Sequence, residues 1–167
     1  MPQELRESRS LGVAERIAAF IRPVKTVALF APRPDEPDLH LLERFVALWT
    51  SRTVLFPAVN ATGLAFAPAE NWEELQPGAF GLPAPVRPPF AVTPELVLVP
   101  GLAFTRHGDR LGRGAGFYDR YLASLDSAAR SVGVAFHLQL LEELPREDHD
   151  RRVQAVVTDQ ETIHTGS

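Results

Sequence analysis

"LVLVPGLAFTRHGDRLGRGAGFYDRYL", residues 96–122, passes from an apolar run through a glycine- and arginine-rich stretch into an amphipathic pattern. "LVLVP" (96–100) reads as a strand. Phe117, Tyr121 and Leu125 recur at i, i+4 and i+8, with Tyr118 and Leu122 beside them, which predicts one apolar helix face over 116–130. Between strand and helix lie residues 101–115, a loop far longer than the roughly 2–6 residues usual in a βα connection. A strand, a long loop and a helix in that order are half of a βαβ unit.

Outward from this segment the same alternation continues. "LGVAERIAAFI" (11–21) spaces Val13, Ile17 and Ile21 as a helix stripe that Pro23 stops, while residues 1–10 are polar and expected to be loosely held. "VKTVALFA" (24–31) reads as a buried strand. "DLHLLERFVALW" (38–49) reads as a helix capped by Asp38, with Leu41, Phe45 and Leu48 on one side. "TVLFP" (53–57), "GLAFA" (63–67), "SVGVAFH" (131–137) and "VQAVVTD" (153–159) read as further strands. Residues 68–95 hold seven prolines and form a long irregular segment, and 160–167 form a tail. Strands alternating with helices predict a single α/β domain with a mainly parallel sheet over 1–167.

The chain of 167 residues fits one domain, and 45% hydrophobic with 23% charged residues is ordinary for a soluble globular protein. It has no apolar run of membrane-spanning length and no secretory leader, so a cytoplasmic location and no membrane partner are expected. Without cysteine there is no disulfide, thiol nucleophile or zinc–thiolate site. A net charge of −4 argues against nucleic acid as a partner. Arginine outnumbers lysine sixteen to one, so any anion must be held by guanidinium or backbone N–H groups.

The long loop is suited to that task. Gly112, Gly114 and Gly116 stand directly before the helix, where glycine lets backbone N–H groups approach a ligand. The N–H groups and partial positive charge of a helix start make an anion site. Arg106, Arg110, Arg113 and Arg120 against Asp109 and Asp119 leave the segment locally positive. Walker A is absent for want of a lysine, and the glycines stand too late and too close for a dinucleotide fingerprint. A glycine-rich turn beside scattered surface arginines remains the plainer reading. Asp119 suits the positive end of the helix and would equally suit Mg²⁺ beside phosphate.

The order P-G-x-A-F, R-L-G-x-G-x-G, aromatic, Tyr-Asp and Leu closely resembles the signature of the 5-formyltetrahydrofolate cyclo-ligases, also called methenyltetrahydrofolate synthetases. "DEPDLHLL", "FPAVNATGLAF", "GAFGLPAP" and "LPREDHDRRVQAVVTD" resemble further family segments in the same order, so the likeness covers about 24–159. The resemblance implies a three-layer α/β/α fold and an enzyme dependent on ATP and Mg²⁺ that converts 5-formyltetrahydrofolate to 5,10-methenyltetrahydrofolate, with no obligatory protein partner. It implies that Arg110, Leu111, Gly112, Arg113, Gly114, Ala115, Gly116, Phe117 and Tyr118 hold ATP, with Arg6 as a further nucleotide contact. Arg110, Arg113 and Tyr118 would be catalytic, Glu36 and Tyr118 would contact the folate, and Asp119 would bind the metal. This chain departs from the family pattern at Pro2, Ala84, Ala115 and Phe117.

The implied chemistry suits the residues, because phosphoryl transfer needs placement and positive charge rather than a protein nucleophile. A non-catalytic nucleotide- or folate-binding homologue and an ATP-using enzyme on another small acid remain open. Glu36 reads equally as a solvated loop acid, and "EDHD" (147–150) as a solvated turn or site edge. Trp72 and Phe80 read as pterin-stacking rings or as plain packing.

Overall fold

The apolar runs assemble into one seven-stranded sheet. The computed structural model describes residues 1–60, 63–89, 92–125 and 128–166. The tip of the 53–67 hairpin (61–62), two residues of the proline-rich segment (90–91), two of the expected second helix (126–127) and the last tail residue lie outside the described residues. In chain order the first strands are β1 (Thr26–Ala28), β2 (Thr53–Asn60), β3 (Gly63–Ala69), β4 (Leu75–Gln76), β5 (Ala84–Pro85) and β6 (Leu96–Val99). They are followed by β7 (Ala103–Thr105), β8 (Arg110–Leu111), β9 (Arg130–Val134), β10 (Leu140–Leu141), β11 (Ala155–Val157) and β12 (Thr162–His164).

The large sheet has the order β12-β11-β9-β6-β1-β2-β3. Its five inner strands pair parallel, and the edge strands β3 and β12 pair antiparallel. The mixed α/β class with a mainly parallel sheet is therefore as expected. Buried on both faces, the inner strands need apolar residues at every position, and all four residues of β6 are buried. Alternate residues divide between two clusters: Val27, Val54, Phe56, Leu96 and Leu98 on one face, Ala28, Leu55, Val97 and Val99 on the other. Each of the larger side chains among them, valine, leucine or phenylalanine, contributes about 1.5–3 kcal/mol on burial.

Helix α1 (Gln3–Ile21) lays Val13, Ile17 and Ile21 on the first face. It begins eight residues before the stripe that announced it, so the polar start expected to be loose is helical from Gln3. Helix α2 (Phe117–Ser124) sets Tyr118, Tyr121 and Leu122 against the second face. It is shorter than the expected 116–130, because Leu125 is extended and Ser124 Oγ donates back to the Tyr121 carbonyl at 2.7 Å.

Residues 38–49 are a correction of kind. Asp38 caps as expected, accepting from His40 N–H at 3.0 Å, but the turns it opens are 3-10 over Leu39–Arg44. Leu39 and Leu42, three apart, are the fully buried pair, which matches a 3-10 repeat better than an α one. The long loop after β6 is also more ordered than expected. β7 and β8 form an antiparallel hairpin, joined by β10 into a three-stranded sheet.

The chain leaves β1 to one side for β2 and β3, then returns to β1's other side with β6 and continues outward through β9. Strand order reverses between β1 and β6, and a crevice at the carboxyl ends of such a pair is where open parallel sheets bind ligands.

Candidate active site

That crevice is a cleft of about 500 Å³. One wall is the turn after β1, with Phe30, Arg33 and Glu36; the other is the segment Arg110–Asp119 that follows β6 and its hairpin. Pro57, Val59 and Leu64 of the β2–β3 ribbon form an apolar side. Phe80 and Leu82 of the proline-rich segment and Glu147, His149 and Asp150 stand at its edges.

The glycine segment is open rather than buried. Among the described residues, none of the backbone N–H groups from Gly112 through Asp119 donates to a protein acceptor. Gly116 caps α2 in the left-handed region at φ 70°, with no side-chain cap hydrogen bond, while Arg120 folds back to donate to the Ala115 carbonyl at 3.0 Å. Eight successive N–H groups without a protein acceptor lead into the helix along the cleft wall, donors suited to an anion. Gly112 is required for a second reason. A Cβ there would lie 2.7 Å from Arg110 Nη1.

Arg110 is fixed beneath this segment. Its side chain is 5% exposed, Nη1 donates to the Pro100 carbonyl at 3.0 Å, and Nη2 lies 3.5 Å from Asp119 Oδ2. The guanidinium also sits 5.5 Å from the centre of the Tyr118 ring. Burial draws its pKa below the usual arginine range and Asp119 draws it back, yet arginine stays charged. Two buried polar atoms here have no partner, Arg110 Nε and the Tyr118 hydroxyl. Such atoms are costly to leave unpaired, and both belong to residues that line the cleft, where a ligand could bond them. Burial pushes the Tyr118 hydroxyl above the ordinary tyrosine value, so it is a neutral donor. Tyr121, behind it against Phe66 at 4.7 Å, is likewise pushed up to about 12 by burial.

Glu36 is 5% exposed, against the plain expectation of a solvated loop acid. Its Oε1 accepts the Arg33 N–H at 2.7 Å and its Oε2 lies 3.9 Å from Arg113. Burial raises its pKa, opposed by the Arg33 N–H and the Arg113 charge. Arg113 itself donates to both carboxylate oxygens of Asp35 at 3.1 Å, bridging the two walls. Asp119 Oδ1 accepts the Arg151 N–H at 3.2 Å, which ties α2 to the 145–151 edge. That edge is held again by Asp109, which meets Arg146 at 3.2 Å and Arg152 at 3.0 Å.

Among the described residues no three His, Cys, Asp or Glu side chains gather as a ready metal site. Asp119 lines the cleft as a hard oxygen donor beside the free amides. That suits a cation which takes one or two carboxylates and completes its shell from phosphate and water. It does not suit a metal held by protein alone.

Leu111, Ala115 and Phe117 line the cleft with the rest of the predicted loop. Arg6 does not: its guanidinium donates to the carbonyls of Arg33 at 3.2 Å and Glu36 at 2.9 and 3.0 Å. In this structure Arg6 braces the turn that carries Glu36. Trp72 is a packing residue, 8% exposed with its ring 5.1 Å from that of Phe56. Phe80 is 72% exposed at the cleft mouth, in the left-handed region at φ 59°, its ring 5.9 Å from Phe117. Sequence reading missed Arg33 and Asp35; their only signal was membership of the acidic, proline-bounded turn around Glu36.

A parallel sheet with a switch-point cleft, loop amides without protein acceptors and a buried arginine defines an α/β protein whose cleft is suited to an anion. The 5-formyltetrahydrofolate cyclo-ligase family model matches residues 1–159, and the chain belongs to that family. It is 33% identical over 172 residues to the 5-formyltetrahydrofolate cyclo-ligase of Mycolicibacterium smegmatis, covering 95% of this chain and 86% of that one. It is 33% identical over 174 residues to the mouse cyclo-ligase, covering 92% and 84%. The solved 5,10-methenyltetrahydrofolate synthetase of Aquifex aeolicus superposes with a TM-score of 0.84 at 30% identity, covering all of this chain and 86% of that one.

Proposed function

We propose that the protein is a 5-formyltetrahydrofolate cyclo-ligase, forming 5,10-methenyltetrahydrofolate at the expense of ATP with Mg²⁺. The observation that carries this reading is the run of unpartnered N–H groups from Gly112 to Asp119 over the buried Arg110. Family membership supports the substrate.

The formyl group on N5 is an amide, stabilised by resonance, and its oxygen is a poor leaving group. The formyl oxygen attacks the γ-phosphorus; a P–O bond forms, the bond to the β-phosphate oxygen breaks, and ADP departs. N10 then adds to the activated formyl carbon, its proton is lost, and expulsion of phosphate leaves the N5–C–N10 bridge. The loop amides, Arg110 and Arg113 would bind the phosphates and offset charge on the transferring oxygens. Mg²⁺ at Asp119 would supply further positive charge to those phosphates. Arg113 must then exchange Asp35 for phosphate, and releasing that exposed ion pair costs little. Tyr118, neutral and unpaired, is a hydrogen-bond donor at the same place. Glu36 would contact the folate, and Phe80 offers an exposed ring for the pterin.

The test is the absorbance of methenyltetrahydrofolate after mixing protein, ATP, Mg²⁺ and 5-formyltetrahydrofolate. Product that requires all four supports the reading. Clean ATP binding without product would make the protein a binder, and ATP turnover with a different acid would make it another enzyme.

A further inference from the structure

Three arginines line the cleft, and two of them are engaged: Arg110 by the Pro100 carbonyl and Asp119, Arg113 by Asp35. Arg33 is different. Among the described residues its guanidinium has no acceptor at hydrogen-bond or ion-pair distance, although its charge is felt at Glu36. Its backbone is fixed on both sides. The N–H donates to Glu36 Oε1 at 2.7 Å, and the carbonyl accepts from Arg6 Nη2 at 3.2 Å. The turn is thus braced from behind while the side chain is left half-buried in the cleft wall.

Arg33 lines the cleft with no acceptor for its fork among the described residues, so its charge is presented to the cleft and open to a ligand oxyanion. The planar fork of arginine matches carboxylate and phosphate oxygens. We infer that Arg33 is a substrate-binding residue that takes an oxyanion of one of the two substrates. The brace of Arg6 on the same turn makes Arg6 its positioning residue. The inference rests on the cyclo-ligase reading, whose substrates both carry such groups: phosphates on ATP, and the glutamate carboxylates of the folate.

Arg33→Met keeps the apolar stem and removes the fork. Equilibrium binding of ATP and of 5-formyltetrahydrofolate, each alone, is measured by titration calorimetry beside steady-state kinetics and a thermal melt. The expected result is at least about fivefold weaker binding of one substrate, with that substrate's KM raised and kcat nearly kept, an unchanged melting midpoint, and partial recovery in Arg33→Lys. A loss confined to ATP assigns the oxyanion to phosphate. A loss confined to the folate, and absent with 5-formyltetrahydropteroate, which lacks the glutamate, assigns it to that carboxylate. Wild-type affinity for both substrates in Arg33→Met overturns the inference. A wild-type protein that binds both substrates but forms no product would sink the proposed reaction and leave the Arg33 contact standing, so the two failures are distinct.

Discussion

Gly112→Ala adds one methyl group and tests how the phosphate segment is supported. The new Cβ would lie 2.7 Å from Arg110 Nη1 and 3.1 Å from Nη2, well inside the ~3.5 Å that nonbonded contacts prefer. The guanidinium has little room to yield, being 5% exposed and bounded by the Pro100 carbonyl, Asp119 and the Tyr118 ring. Either the loop lifts or the bond from Nη1 to Pro100 breaks. A hydrogen bond to a charged group is worth about 1.5–3 kcal/mol. For a chain of this size each kcal/mol moves the melting midpoint by about 2–4 °C, so a fall of roughly 3–12 °C is expected. Displacing the loop amides from the phosphates should also raise the KM for ATP about tenfold, equivalent to ~1.4 kcal/mol. Differential scanning calorimetry and steady-state kinetics at varied ATP read the two effects. A variant with wild-type melting and wild-type KM would refute the claim that Arg110 is locked under Gly112.

Further outcomes follow from the same geometry. Arg110→Ala and Asp119→Ala should each lower turnover about tenfold or more, ~1.4 kcal/mol of barrier, while circular dichroism shows the fold retained. Glu36 has its pKa raised above the ordinary 4.5 by burial, so its favourable contribution is complete when protonated and is lost as pH rises through the raised value. Denaturant midpoints of wild type should therefore fall relative to Glu36→Gln as pH increases from about 4 to 7, and parallel curves would contradict the burial argument. Trp72→Ala should cost about 3–5 kcal/mol of stability with the folate KM unchanged in the remaining folded enzyme. Phe80→Gly should do the reverse, relieving about 1 kcal/mol of left-handed strain while raising the folate KM.

Much of the fold was legible because inner parallel strands allow little but apolar residues. "LVLVP", "VKTVALFA" and "VQAVVTD" all contain strands of the sheet, though β1 and β11 are only three residues each. Amphipathic spacing was less decisive where exposure was uneven. The first turns of α1 bury only Ser10 before Val13, so no stripe marks them. Of Leu41, Phe45 and Leu48, which suggested an α repeat, only Leu48 is fully buried, and Leu39 and Leu42 of the 3-10 turns sit three apart. Edge strand β12 buries only Ile163, too little pattern to see in a presumed tail.

The site divides the same way. The loop announced itself through its glycines, because their backbone freedom is a local property. The work of Arg6, Asp35 and Arg33 was hidden, since it depends on partners 27 to 78 positions away or on having none. Arg6 is the instructive case. Its acceptors are main-chain carbonyls, which carry no residue-type signal at all.

In the proposed reaction the unpartnered amides of residues 112–119 receive the phosphates of ATP. Amide chemical-shift mapping of the labelled protein during titration with ATP and Mg²⁺ addresses it without requiring turnover. The largest shifts and new protection from exchange are expected on Gly112–Asp119 and on the Arg110 side-chain N–H signals. Saturable ATP binding that leaves those signals unmoved, with the shifts gathered elsewhere on the sheet, would contradict it.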